Sequence, residues 1–180
     1  MDITARKKQL RKKIKEIKST FSFEEKEMLS ILILNNLEKD ISFINSDNIL
    51  AYWSMDDEVN THSFIIKWSN SKKIYLPVVV GTELEFRLFT SIKDMKKDAQ
   101  FGIYEPTGNK LDDFSKIDFA IIPGVAFDKD NNRLGRGRAF YDRILNSISA
   151  HKAGICFDFQ MVAKVPTEIT DIKMDKVYSN

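Results

Sequence analysis

Leu10, Ile14, Ile17 and Phe21 recur at helical intervals through a segment otherwise crowded with lysine and arginine, a pattern that predicts an amphipathic helix over residues 5–19. Ser22, followed three positions later by Glu25, makes a capping-box pattern, so a second helix should start there and run to about Glu38. The apolar run "NILAYW" (48–53) reads as a buried strand. Asn60 or Thr61 suits the cap of a third helix, whose Phe64, Ile65 and Trp68 share one face. "KIYLPVVV" (73–80) is a second strand. Gly81-Thr82 then turns the chain into 83–91, where Leu84, Phe86 and Leu88 alternate with charge, as in a strand with one wet face. A third buried strand, "KIDFAIIPGVAF" (116–127), leads through "RLGRGRAFYDR" (133–143) into a helix ending at Ile148. "KAGICFDF" (152–159) supplies a further strand, and a short tail closes the chain. Strands alternating with helices predict a three-layer α/β fold, a mainly parallel central sheet with helices on both faces.

The chain of 180 residues is 43% hydrophobic and 30% charged, enough apolar material for one core, so one domain over residues 1–180 is expected. A formal net charge of +2 gives no whole-molecule field for DNA or RNA, and any anion site must be built locally. The first helix does carry eight basic residues (Arg6, Lys7, Lys8, Arg11, Lys12, Lys13, Lys15, Lys18), but without the interleaved aromatics of a nucleic-acid surface. Cys156 is the single cysteine, which excludes an internal disulfide framework, and two histidines leave little material for a zinc site. The longest apolar runs, "LSILIL" and "YLPVVV", are too short to span a bilayer, and residues 1–18 lack the apolar core of a signal peptide. A soluble cytoplasmic protein is expected.

Chemistry concentrates in "RLGRGRAFYDR", which follows a buried strand and precedes a helix. In open α/β sheets that is where ligands collect. Gly135 and Gly137 allow close approach of backbone to ligand. Arg133, Arg136 and Arg138 offer forked donors for phosphate oxygens, and the helix start adds free N–H groups. A glycine turn with solvated arginines is the alternative. There is no third glycine for a dinucleotide fingerprint and no Gly-Lys-Ser/Thr for a P-loop.

The longer segment "IIPGVAFDKDNNRLGRGRAFYDR" closely resembles the signature of the 5-formyltetrahydrofolate cyclo-ligase (5,10-methenyltetrahydrofolate synthetase) family. That signature is Pro-Gly-x-x-Phe-Asp, then Arg-Leu-Gly-x-Gly, then an aromatic pair ending in Tyr-Asp. "KKQLRKK", "SMDDEVNT", "FGIYEP" (101–106) and "TDIKMDKV" match in the same order, so the resemblance covers nearly the whole chain. It implies a fold like that of NagB, RpiA and the CoA transferases. It also implies an ATP- and Mg²⁺-dependent ligase of one-carbon metabolism that cyclises 5-formyltetrahydrofolate, polyglutamylated forms included, to 5,10-methenyltetrahydrofolate. The formyl oxygen takes the γ-phosphoryl group, N10 attacks the activated carbon, and phosphate leaves. A monomer is implied, with neither nucleic acid nor membrane as partner. The alternatives are a non-catalytic folate- or nucleotide-binding homologue, or an enzyme of the same fold with another anionic substrate.

By the same resemblance, Arg133, Leu134, Gly135, Arg136, Gly137, Arg138, Ala139, Phe140 and Tyr141 fall on the ATP-binding loop. Arg136 and Arg138 are its catalytic charges, and Arg136 and Tyr141 also lie against the folate. The family commonly has Lys-Gly-Tyr where this chain has Arg138-Ala139-Phe140. Lys7 and Arg11, four apart on one helical face, fall on further ATP contacts. Met55, Asn60 and Phe101 fall on substrate contacts. Asn60 stands where some members carry Glu and equally suits a helix cap, while Met55 equally suits a core. Asp142 and Asp171 fall on Mg²⁺ ligands, with Asp142 equally an acid at a helix start and Asp175 a competitor for Asp171. Tyr52 and Trp53 read as core, Glu105 as structural, and His62 as a surface histidine. Asp142→Asn is expected to weaken metal-dependent ATP use while leaving the fold intact.

Overall fold

The computed structural model describes every residue except Met1, Thr82 and 99–101. Five α-helices lie among the described residues: α1 (Ile3–Lys18), α2 (Phe23–Leu37), α3 (Ile41–Ile44), α4 (His62–Trp68) and α5 (Phe140–Leu145). The strands are β1 (Asn48–Leu50), β2 (Lys73–Val80), β3 (Glu83–Leu88), β4 (Met95–Lys97), β5 (Tyr104–Pro106), β6 (Phe119–Pro123), β7 (Ala126–Asp128), β8 (Arg133–Leu134), β9 (His151–Ile155), β10 (Met161–Val162) and β11 (Lys176–Tyr178). The capping box is present: the Ser22 hydroxyl accepts from the Glu25 N–H and the Glu25 carboxylate accepts from the Ser22 N–H.

The main sheet runs in the order β11-β9-β6-β1-β2-β3. All its pairings are parallel except that of β3, which lies antiparallel on β2 at the edge. Residues of β6 alternate between the sheet's two faces. Phe119 and Ile121 pack with Leu37, Phe43 and Phe64 from α2, α3 and α4. Ala120 and Ile122 pack with Leu145 of α5 and with Ile148 on the other face. The three-layer α/β expectation therefore holds. No helix among the described residues is long and apolar enough to cross a membrane.

Three departures from the sequence pattern have physical causes. The run 116–127 does not form one strand: β6 stops at Pro123, and β7 joins a second, three-stranded sheet with β8 and β10. The bend lets the Phe127 ring fold back over Gly124 and Gly154, where a Cβ would lie 2.5 Å from that ring in either case. The helix after the arginine-rich loop ends at Leu145 rather than Ile148, which leaves it six residues long. The tail contains β11, held at the sheet edge by parallel pairing with β9. Asp40, at the N-cap of α3, binds Lys176 Nζ and the Tyr178 hydroxyl, each at 2.7 Å, and so ties α3 to that strand. The α1 helix packs through Ile14 on Ala126, Leu134 and Val165, against the small sheet rather than the large one.

Candidate functional site

The chain leaves β1 to form β2 on one side and β6 later pairs on the other, so the sheet order reverses between β1 and β6. Ligand crevices form at the carboxyl ends of strands at such a switch point. Tyr52 and Trp53 follow β1, and Pro123 and Gly124 close β6. All four line a cavity of about 350 Å³ whose other walls include Met55, Val79 and Leu84. A second cavity, of about 470 Å³, is lined by Lys7, Arg11, Asp171 and Glu168. Arg133, Gly135, Ala139 and Asp142 line both. The loop singled out by sequence is thus the partition between an apolar cavity and a charged one.

Arg133 is the beam of that partition. Its side chain is only 3% exposed. Nη1 donates to the Pro123 carbonyl at 3.1 Å and Nη2 to Asp142 Oδ1 at 2.5 Å, while Nε has no partner. Two of its five N–H donors are therefore committed within the protein, which leaves only part of the expected phosphate fork on offer. Leu134 likewise contributes a core side chain, packed with Ile14.

The glycines admit an arginine from α1. Arg11 Nε donates to the Gly135 carbonyl at 2.8 Å. A Cβ on Gly137, whose φ is +99°, would lie 3.4 Å from Arg11 Cζ. Burial lowers the Arg11 pKa, and the charges of Asp171 and Asp142 oppose that effect. Lys7 Nζ sits 2.8 Å from Glu168 and 2.7 Å from Asp171. Burial lowers its pKa, but the bonds to Asp171 and Glu168 outweigh it, so the ammonium is held more firmly charged. Both basic residues of the resemblance therefore face the charged cavity. Ala139 adopts a left-handed φ of 54°, a conformation that costs an L-residue about 1 kcal/mol and that glycine takes freely. This is the position where the family commonly has glycine.

On the apolar side, Arg136 is held by acids from the 55–58 turn. Nη2 reaches Asp57 at 2.6 Å and Glu58 at 2.9 Å. Lys18 from α1 binds the other oxygen of Asp57 at 3.2 Å. Burial lowers the Arg136 pKa, but Glu58 and Asp57 raise it further, and the net shift is upward. Met55, Arg138, Phe140 and Tyr141 line this cavity as well. Burial pushes the Tyr141 phenol well above its ordinary value, with the Glu58 charge adding to the effect, so it stays a neutral hydroxyl.

Asn60 lies outside both cavity linings. Its Nδ2 donates to Glu27 at 2.6 Å and its Oδ1 accepts from the His62 N–H at 2.9 Å, while Thr61 takes the N-cap position of α4, so Asn60 stands one residue before the cap with its amide turned to Glu27 and His62. Phe101 lies outside the described residues. Trp53, read as core, is also a cavity wall, stacked on His62 at 4.0 Å between ring centroids. His62 is half-buried rather than on the surface, and burial lowers its pKa. Glu58 and Glu105 also line the cavity; they lie in the matching segments "SMDDEVNT" and "FGIYEP", and Glu105 reads as structural in the sequence.

Asp142 and Asp171 line the charged cavity together. Among the described residues no three His, Cys, Asp or Glu side chains gather as a metal cage. Two hard oxygen donors do fit Mg²⁺, which takes one or two carboxylates and completes its shell with water and phosphate oxygens.

The model of the family described as 5-formyltetrahydrofolate cyclo-ligase matches residues 3–180. The cyclo-ligase of Haemophilus influenzae is 31% identical over 179 residues, covering 95% of this chain and 96% of that protein. The NMR structure of Aquifex aeolicus 5,10-methenyltetrahydrofolate synthetase superimposes with a TM-score of 0.86 at 32% identity, covering 96% of this chain and 89% of that one. The synthetase of Mycoplasma pneumoniae gives a TM-score of 0.76 at 27% identity, covering 98% of each chain. This chain belongs to the 5-formyltetrahydrofolate cyclo-ligase family.

Proposed function

We propose that the protein is an ATP-dependent ligase that closes 5-formyltetrahydrofolate to 5,10-methenyltetrahydrofolate, with the folate in the apolar cavity and ATP in the charged one. The observation that carries this reading is the shared partition: two cavities of opposite character meet across Arg133, Gly135, Ala139 and Asp142 at the sheet's switch point. The formyl oxygen attacks the γ-phosphorus and ADP leaves. N10 then attacks the formyl carbon, the C–O bond to phosphate breaks, and the N10 proton is released as the methenyl bridge forms. Little covalent chemistry falls to the protein in such a transfer, whose demands are alignment and charge neutralisation.

Lys7 and Arg11 supply fixed positive charge toward the nucleotide phosphates, and the backbone of Gly135 to Phe140 offers close approach. Arg136 and Arg138, on the folate side of the loop, neutralise charge on the transferring phosphoryl group. Arg136 must exchange Asp57 and Glu58 for that ligand, a modest cost for the half-exposed pair with Asp57 and a larger one for Glu58, which is 11% exposed. Tyr141 and Met55 bound the folate ring. Asp142 and Asp171 would hold Mg²⁺, which would supply positive charge to the nucleotide phosphates. The reading carries with it one domain, a cytoplasmic site of action, a monomer, and polyglutamylated as well as monoglutamylated folate. Arg138, Ala139 and Phe140 leave both cavities walled and open, so no observation favours a non-catalytic homologue. Purified protein with 5-formyltetrahydrofolate, ATP and Mg²⁺ should produce the methenyl absorbance and one ADP per product. Nucleotide and folate binding without turnover would refute it.

A further inference from the structure

The apolar cavity contains three carboxylates in different circumstances. Glu58 accepts from the Met55 N–H through one oxygen and from Arg136 through the other. Asp142 is tied to the Arg133 guanidinium. Glu105, on β5, accepts from the Val79 N–H at 2.8 Å through Oε1, which joins β5 to β2. Its Oε2 accepts from no described residue, and no described lysine or arginine forms an ion pair with it. Its neighbours on that wall are Pro77, Val79, Leu84 and Ile103. Burial pushes its carboxyl pKa up, with the charge of Asp98 adding to the shift while the Val79 N–H and Arg87 oppose it. Oε2 is thus an open acceptor on the cavity wall, placed to take a donor from whatever enters the cavity.

The cavity is also polarised. Glu105 stands on the β2–β5 wall, while Arg136, Arg138 and the partition stand on the loop wall. A reduced pterin is polarised to match. Its pyrimidine end presents the 2-amino group and N3–H as two parallel donors, and N5 with its formyl group lies on the other ring. We propose that Glu105 determines substrate specificity by accepting the 2-amino and N3–H donors of the pterin, which turns the formyl-bearing ring toward the loop. A planar carboxylate matches two parallel N–H groups in fork fashion. Oε1 has a second lone pair for this, so the Val79 bond is retained. Asn60, turned toward Glu27, offers no competing acceptor in the cavity.

This inference rests on the cyclo-ligase reading, and Glu105→Gln tests it. Glutamine keeps an oxygen for the Val79 N–H and removes the charge and one acceptor. Titration calorimetry would compare wild type and variant on 5-formyltetrahydrofolate and on its 2-desamino analogue, with KM values for folate and ATP measured alongside. The variant should bind 5-formyltetrahydrofolate roughly tenfold to hundredfold more weakly, the loss expected for a charge-assisted bond in a buried site, with the KM for ATP unchanged. Wild type should discriminate against the 2-desamino analogue by a similar factor, and the variant should discriminate far less. Equal discrimination by both proteins would overturn the inference even if the variant were less stable, because the comparison is made within each protein. Wild-type turnover with unchanged folate binding by the variant would overturn the role of Glu105 alone. Wild type that neither binds nor turns over 5-formyltetrahydrofolate would overturn the cyclo-ligase reading as well.

Discussion

Replacing Asp142 with asparagine should destabilise the fold as well as weaken nucleotide use. Asp142 is the one carboxylate paired with Arg133 among the described residues, and the arginine side chain is 3% exposed. Breaking a fully buried pair costs ~3–5 kcal/mol, chiefly because a charge is left uncompensated. Two features reduce that here. Asp142 itself is 30% exposed, and asparagine leaves an amide oxygen to accept from Nη2. A loss of about 2 kcal/mol follows, or about 4–8 °C in Tm for a chain of this length. Thermal melting of the two proteins without ligand, followed by their Mg²⁺ dependence in the cyclisation assay, separates the two roles. Adding Arg133→Met to Asp142→Asn should recover part of the lost Tm, since no buried guanidinium then lacks a counter-charge. An Asp142→Asn protein melting within about 1 °C of wild type would refute the reasoning, because the pair would then contribute nothing to the folded state. The sequence-based expectation that this substitution spares the fold is revised on the strength of Arg133.

Other variants probe the remaining parts. Arg136→Ala should cut turnover at least ~10-fold while costing about 1–2 kcal/mol, since Asp57 is half exposed but Glu58, 11% exposed, loses a partner; kcat/KM and Tm report the two separately, and equal losses would mark the loop as structural. Gly137→Ala forces a side chain into a φ of +99° beside Arg11, at a cost of about 1–3 kcal/mol, and should raise the KM for ATP more than that for folate. Asp40 is held well below its ordinary pKa of 3.8 by Lys176 first and Tyr178 next, despite some opposing desolvation. A depressed folded-state value means stability that is present above pH 3.8 and lost as pH falls below it. Asp40→Asn should therefore melt below wild type at neutral pH, with the two curves converging in strong acid.

Local pattern was sufficient wherever one periodicity ruled a segment. The capping box at Ser22 and the alternation of Leu84, Phe86 and Leu88 translate directly into α2 and β3. β11 was hidden because three residues carry no period, and its place depends on pairing with β9. The break after Pro123 was hidden because a strand and its bent continuation are equally apolar, and the bend depends on how Phe127 packs over two distant glycines. The site divides in the same way. The loop with its basic partners Lys7 and Arg11 was legible as composition at a strand–helix junction. That Arg133 is committed internally, that Arg11 occupies the space beside Gly137, and that Glu105 faces the cavity are facts of long-range contact. Asn60 was ambiguous in sequence because a helix cap and a ligand contact ask for the same amide; in the fold Thr61 takes the cap position, and the Asn60 amide bonds Glu27 and the His62 N–H, both long-range or loop facts that spacing does not carry.

The central claim is that ATP activates the formyl oxygen at the partition between the two cavities. 5-Formyltetrahydrofolate carrying a heavy-oxygen label in its formyl group, turned over with ATP and Mg²⁺, tests it most directly. The account predicts one labelled oxygen in the phosphate released for each methenyl product formed. Product whose label appears in water rather than in phosphate would contradict it.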